Sequence, residues 1–240
     1  TNTMVDDLDF FIEKVNPDNR DQYFHEGEWL NMNVKEEVFE VKGKSDTTVL
    51  IRSTHHGPII TGIHSLKPFN NDLLSMKWSG HRITKELDAW VELTLMNNWE
   101  DFSSALKKFG VPGQNIVYAD VDGNIGWRPA VFIPIRKMGF SMAPRPGWDK
   151  SFEWSGYVPF EEMPYLYNPP EGYISTANNK TIGNEFPYYI SGLWADPSRS
   201  SRIKEVLEEK KNFSLRDMKS LQLDLTSNYS KEILPSILKN

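Results

Sequence analysis

Residues 115–130 read NIVYADVDGNIGWRPA, two β-prone runs on either side of an Asp-Gly pair. Asp122-Gly123 predicts the positive φ values of a tight primed turn. The alternation of Val117, Ala119 and Val121 predicts a sheet with one face buried. Such a hairpin needs an apolar partner, and the segment before it supplies one. NNWEDFSSALKKFGVPG, residues 97–113, predicts a helix capped by Asn98 with Asp101 at N3. Trp99, Phe102, Leu106 and Phe109 form one apolar stripe, and Gly110 and Pro112 end the helix.

The remainder follows the same grammar. DLDFFIEKV, 7–15, reads as a strand broken at Asn16-Pro17, with residues 16–27 as a loop. Short strands follow between Tyr23 and Ile63, including EVFEVKG and TTVLIRST, with a turn at Gly57-Pro58. Residues 134–170 are rich in Pro, Gly and aromatic side chains and read as an ordered loop region over a core. Tyr173 to Thr176 reads as a short strand that stops at Asn178-Asn179. Two helices then follow. One starts near Asp196-Pro197 with Pro at N1; the other starts at Ser214, with Asp217 completing a capping box, and is kinked or ended by Pro235. Strands, helix, strands, then helices define an α+β class.

Composition narrows the chemistry. The 240 residues include no cysteine, which excludes disulfides, thiolate catalysis and Cys–zinc sites. Net charge is −6 with no long basic run, which argues against nucleic-acid binding. No stretch has the apolar length of a membrane span, and no signal peptide opens the chain. TNTMVDDLDF reads as mid-domain sequence, and EILPSILKN stops just after an apolar helix-like run, so the expectation is a piece cut from a longer chain.

Three groups of residues could carry chemistry. Asn178 and Asn179 form either a turn after a strand or a pair of neutral donors suited to an oxyanion, which an amide stabilises without supplying a proton or a fixed charge. Asp6, Asp7 and Asp9 crowd one segment, as either a solvated acidic loop or a site for a hard cation such as Ca²⁺. Arg199 falls in the first turn of a helix, where a cation either points to water or has an anionic or carbonyl partner. Histidines stand at 25, 55, 56, 64 and 81. Adjacent strand residues point to opposite faces, so His55 and His56 are not expected to share a metal ion; the expectation is that His56 packs or hydrogen-bonds at the Gly57-Pro58 turn.

NIVYADVDGNIGWRPA, GYISTANN and LWADPSRSSRI, in this order and at this spacing, resemble the penicillin acylase (penicillin amidase) family. STHHGPII, NNWEDFSSALKKF and SLQLDLTSNYSKEILP fit the same resemblance, which covers nearly the whole chain. The family includes acyl-homoserine lactone acylases and cephalosporin acylases. The resemblance implies an αββα N-terminal nucleophile hydrolase sandwich, in which a precursor cuts itself into light and heavy chains. A new N-terminal Ser then attacks amides with its own α-amino group as base.

On this resemblance, residues 1–240 are one partial domain within a heavy chain. Asn178 matches the side-chain oxyanion donor, the backbone N–H of Asn2 its partner, and Arg199 the arginine that orients the network. Asp6 and Asp9, with the carbonyl of Leu8, match heavy-chain ligands of a structural calcium, but Tyr188 stands where a further acid is expected. No organic cofactor is implied. The implied partners are a small-molecule acyl amide, the light chain and the rest of the heavy chain, in a periplasmic or secreted parent. The nucleophile is expected upstream of Thr1, which occupies an interior position beside the oxyanion hole. The rival reading is a non-catalytic aromatic-rich β module that stacks a glycan or peptide on exposed rings near Trp148 and Trp154.

Overall fold

The computed structural model describes residues 1–63, 72–138 and 142–238. His64 lies outside the described residues. Among the described residues, five small sheets and five α-helices make up an α+β fold. The first sheet has β1 (Leu8–Glu13) at its centre, antiparallel to β8 (Leu73–Trp78) and parallel to β12 (Arg145–Pro146). The second has β10 (Ile125–Ala130) between β9 (Gln114–Ala119) and β14 (Leu166–Tyr167). β11 (Pro134–Arg136) pairs with β13 (Trp154–Tyr157). β2 (Val15–Asn16), β3 (Asn19–His25) and β4 (Glu28–Asn31) form a meander, as do β5 (Asn33–Phe39), β6 (Thr47–Thr54) and β7 (Gly57–Pro58).

Helices α1 (Glu86–Leu95) and α2 (Trp99–Leu106) pack together, with α2 against β10. Asn98 caps α2, its Oδ1 accepting from the Asp101 N–H at 2.8 Å as the sequence predicts. The predicted stripe is the core: Phe102, Leu106 and Phe109 are buried with Ala89, Tyr118 and Ala130, and Trp99 packs against them. A second core gathers Val131, Ile133, Val158, Met163 and Ile190. α3 (Ser198–Glu208), α4 (Leu215–Gln222) and α5 (Asn228–Ile237) complete the chain. Ser214 and Asp217 form the predicted capping box.

Several expectations are corrected. Residues 16–27 are a hairpin rather than a loop: Asn16 Oδ1 accepts from Asp18 N, and the chain returns as β3. That strand is largely polar, with Tyr23 its one buried side chain, so it lacks the alternation that marks a strand. The Asp122-Gly123 connection is not a two-residue primed turn. Five residues span β9 to β10, only Gly123 among them has positive φ (+89°), and Asp120 organises the loop by accepting from the N–H groups of Asp122 and Asn124. The buried face of β9 is also the opposite one. Tyr118 faces the core, while Val117 and Ala119 are exposed, as is Val121 in the loop. Aromatic packing of Tyr118 with Trp99 and Phe102 decides the orientation.

The turn in STHHGPII falls on His55-His56, and Gly57-Pro58 is strand β7. Residues 173–176 belong to no sheet. β propensity reports fitness for a pleated, half-buried surface, and here the segment lies beside the Thr1 side chain instead. Pro197 precedes α3 as its N-cap rather than N1, and Pro235 lies inside a third C-terminal helix, α5. α1 lacks a one-sided apolar stripe, because apolar residues stand on two faces: Leu87, Trp90, Val91 and Leu95 on an exposed one, and Ala89 and Leu93 toward the core. The described residues of the 134–170 region include short strands that join three different sheets.

Gly126 in β10 shows how closely helix and sheet approach. A Cβ there would fall 2.2 Å from the Trp99 ring. Gly126→Ala should therefore displace Trp99 and destabilise the chain by about 1–3 kcal/mol, measured by urea denaturation. An unchanged midpoint would show that Trp99 does not rest on this strand.

Candidate active site

The first three residues run alongside β9. Asn115 N donates to Thr1 O at 2.7 Å, and Thr3 N donates to Gly113 O at 3.0 Å. These two bonds make Asn2 and Gln114 a pair without main-chain bonds between them. Both main-chain polar groups of Asn2 therefore point away from β9. Asn178 stands on that side, and its Nδ2 donates to Asn2 O at 2.8 Å.

Asn178 adopts φ +62°, a left-handed conformation that Asn tolerates better than most residues. Arg199 fixes the orientation of its amide. One Arg199 Nη2 donates to Asn178 Oδ1 at 3.0 Å and to Ala177 O at 2.7 Å. Because a guanidinium only donates, it must face the amide oxygen, which leaves Nδ2 toward Asn2. The Asn pair divides its work. Asn179 closes the turn locally, its Oδ1 accepting from Ala177 N, while Asn178 reaches across the chain. Thr1 Oγ1 lies 2.6 Å from Thr176 Oγ1, and Asn115 Nδ2 also donates to Asn2 O. Trp127 Nε1 in turn donates to Asn115 Oδ1 at 3.0 Å, tying this corner to the buried face of β10. Asn2, Asn178 and Arg199 thus meet, although they are far apart in sequence.

The acidic segment is built differently. Asp9 is buried, and its Oδ2 accepts from Arg136 Nε at 2.8 Å and from Trp154 Nε1. Arg136 Nη2 also donates to Asp6 O at 2.6 Å. The Asp6 carboxylate accepts from Tyr189 Oη, Ser191 Oγ and Gly192 N, and that of Asp7 from Trp78 and Ser79. Leu8 pairs with Trp78 in the ladder of β1 and β8. Tyr188 donates to Glu162 and takes no part. As arranged, Asp6, Leu8 and Asp9 do not fit a calcium ion, which needs six to eight converging oxygens; a guanidinium already bridges the Asp9 carboxylate and the Asp6 main-chain carbonyl. Trp148 and Trp154 are half-buried, with Lys14 over one ring and Lys77 and Arg136 over the other, so neither offers the bare platform that ring stacking requires.

A buried ionic network, unrecognised in the sequence, underlies the first sheet. Glu13 and His56 are both fully buried at their side chains. His56 stacks on Phe11 with ring centroids 3.7 Å apart. Its Nδ1 lies 2.7 Å from Glu13 Oε1 and its Nε2 2.6 Å from Glu153 Oε1. Thr54 and Ser75 hydroxyls also donate to Glu13, and Lys77 Nζ donates to Glu153 at 2.7 Å. Burial pushes the carboxyl of Glu13 up, but His56, Ser75 and Thr54 bring it below the ordinary range. Burial pushes His56 down, and the two carboxylates hold it above the ordinary histidine value. Glu153 is likewise held low against its burial by His55, His56 and Lys77. The sequence expectation that His56 packs and hydrogen-bonds here holds. The opposite-face argument does not, because the pair sits on a turn, with ring centroids 3.8 Å apart.

The mixed sheets and packed helices have the N-terminal nucleophile hydrolase fold, as the likeness to a solved penicillin acylase shows. The chain superposes on a thermostable penicillin G acylase from Alcaligenes faecalis with a TM-score of 0.78 and 30% identity, over 92% of this chain and 39% of that one. The penicillin amidase family model matches residues 1–240, and the chain belongs to that family. It is 30% identical over 234 residues to the acyl-homoserine lactone acylase QuiP of Pseudomonas syringae pv. syringae, covering 97% of this chain and 28% of that protein. It is 32% identical over 208 residues to penicillin G acylase of Escherichia coli, covering 85% of this chain and 24% of that one. The chain therefore spans about 28% of the length of the first of these relatives. No helix among the described residues is long and apolar enough to cross a membrane.

Two predictions follow from the charges. Carboxylate stabilisation from Glu13 and Glu153 is present above their ordinary range, about 4.3, and is lost as pH falls through their lowered values. The His56 contribution is full below about 6.5 and is lost as pH rises through its raised value. Stability from the network should peak between these limits, and His56→Gln should cost about 3–5 kcal/mol there and flatten the alkaline fall. Parallel pH–stability curves for both proteins, from urea titrations, would contradict this. Arg136→Met should cost a similar ~3–5 kcal/mol by stranding Asp9, whereas Ca²⁺ or EGTA should leave the wild-type melting temperature unmoved. A calcium-dependent rise would instead restore the ion to the Asp6–Asp9 segment.

Proposed function

We propose that this chain is the oxyanion side of an amide hydrolase, a heavy-chain piece of a precursor that cleaves the acyl amide of a small molecule. The observation that carries the reading is the 2.8 Å contact between Asn178 Nδ2 and Asn2 O, with the Asn178 amide oriented by Arg199. That contact uses one of the two Nδ2 protons. The other, and the outward N–H of Asn2, are neutral donors available to a carbonyl oxygen as it becomes anionic. Similarity to acyl-homoserine lactone and penicillin G acylases supports the substrate class, an acyl amide of either type.

In this proposal an N-terminal Ser outside residues 1–240 attacks the amide carbonyl. The oxyanion rests on Asn178 and the Asn2 main chain, the amine departs, and water hydrolyses the acyl-enzyme. A related penicillin acylase from Pseudomonas sp. is named a proenzyme, which supports a self-cut precursor with a light chain as partner. A periplasmic or secreted parent is part of the same proposal. Residues 1–240 alone would not turn over substrate, since the resemblance to penicillin acylases places the nucleophile upstream of Thr1.

The test uses the full precursor and a chromogenic phenylacetyl or fatty-acyl amide. Asn178→Ala should lower kcat by about 10²–10³-fold with little change in KM or melting temperature. Asn2→Ala, which keeps the main-chain N–H, should retain most activity. Unchanged kcat in Asn178→Ala would sink the oxyanion assignment. Turnover by residues 1–240 alone that Thr1→Ala abolishes would make Thr1 the nucleophile instead.

A further inference from the structure

His25, His55 and Glu153 come from three separate parts of the chain and place one ligand atom each within 4.8 Å of one another. His25 ends β3, His55 sits on the turn between β6 and β7, and Glu153 precedes β13. From this geometry we propose a binding site for a zinc-class divalent transition ion, with both imidazoles and Glu153 Oε1 as protein ligands.

The second layer of contacts suits that role. His25 Nδ1 lies 3.1 Å from Gly147 O, a pure acceptor, so Nδ1 carries the proton and the neutral ring keeps its lone pair on Nε2. His55 Nδ1 lies 3.1 Å from Tyr23 Oη. A tyrosine hydroxyl donates or accepts, so it serves either tautomer of His55. Without metal, His55 Nε2–H donates to Glu153 Oε1 at 2.9 Å, and Nδ1 accepts from Tyr23. On binding, the proton moves to Nδ1 and faces Tyr23, and Nε2 turns its lone pair to the ion. Glu153 keeps its other partners, with Lys77 on Oε2 and His56 on Oε1.

The distances permit the ion. A tetrahedral centre with bonds of about 2.0–2.2 Å separates its ligands by roughly 3.3–3.5 Å. The His55–Glu153 pair at 2.9 Å needs only to open slightly, and the set as a whole to contract. Lys77 is paired with Glu153 Oε2 and His56 with Glu13 and Glu153 Oε1, so the polar groups beside the site are themselves partnered. The ligands are half-buried or exposed, and His55 also lines an open cleft of about 420 Å³ with Lys77, His81 and Trp154. Two imidazole nitrogens and one carboxylate oxygen select a borderline ion over calcium, which takes oxygen ligands, and leave a fourth position for water. Such an ion would pin β3, the His turn and the approach to β13 to one point.

The test is calorimetric titration of the tag-free chain with Zn²⁺ and, separately, Ca²⁺, with melting temperature as a second readout. The expected result is one Zn²⁺ per chain at micromolar or better affinity, a zinc-dependent rise in melting temperature, and no such response to Ca²⁺. His25→Ala and His55→Ala should each weaken Zn²⁺ at least about tenfold and abolish the thermal shift, while His81→Ala leaves both unchanged. Circular dichroism establishes that each variant is folded. Absence of stoichiometric Zn²⁺ binding, or wild-type affinity in either folded His25→Ala or His55→Ala, overturns the site.

Discussion

Two main-chain hydrogen bonds, Asn115 N to Thr1 O and Thr3 N to Gly113 O, decide which way the polar groups of residue 2 point. In an antiparallel pairing, bonded and non-bonded positions alternate. A shift of one residue would turn the Asn2 peptide groups into β9 and leave Asn178 with no main chain to meet. The corner therefore depends on register before it depends on side chains. Register depends in turn on the β9–β10 hairpin, held by Tyr118 against Trp99 and Phe102 and by Trp127 through Asn115. Arg199 acts last, and its effect is on orientation: it faces the amide oxygen of Asn178 and so commits the nitrogen.

Elsewhere the chain solves an opposite problem, that of keeping charge where water is excluded. Isolated buried carboxylates are costly, and they persist when paired and hydrogen-bonded. Glu13 has His56, Thr54 and Ser75; Asp9 has Arg136 and Trp154. The close approach of Gly147 belongs to the same arrangement, because a Cβ there would lie 2.4 Å from Glu13 Oε2. Arg136 thus supplies at Asp9 the neutralisation that the crowded acids of residues 6–9 call for, where the sequence left both a solvated loop and a hard cation open.

Local rules carried far where the controlling contact was itself local. The Asn98 cap, the Ser214 capping box and the Phe102–Leu106–Phe109 stripe all lie within one helix or one turn of it, and all stand in the structure. Rules failed where a distant partner decided the outcome. β9 presents the face opposite to the predicted one because α2 offers aromatics to Tyr118. β3 is polar and pairs nonetheless, because β2 and β4 flank it. The Asn2–Asn178–Arg199 corner came from resemblance, and composition alone left Asn178 divided between a turn and a donor. The structure gives the turn to Asn179 and the long-range bond to Asn178. Glu13, Lys77 and Glu153 carried no sequence signal, since their partners lie 40 to 100 positions away, except that His55-His56 is an unusual pair.

The most direct measurement of the central claim is a crystal structure of the mature enzyme with a tetrahedral transition-state analogue, a boronate or phosphonate, bound to its nucleophile. The account places the analogue's anionic oxygen at about 2.7–3.1 Å from both Asn178 Nδ2 and the Asn2 main-chain nitrogen, with Arg199 still on Asn178 Oδ1. An oxygen held by other donors, with Asn178 still bonded only to Asn2 O, would contradict it.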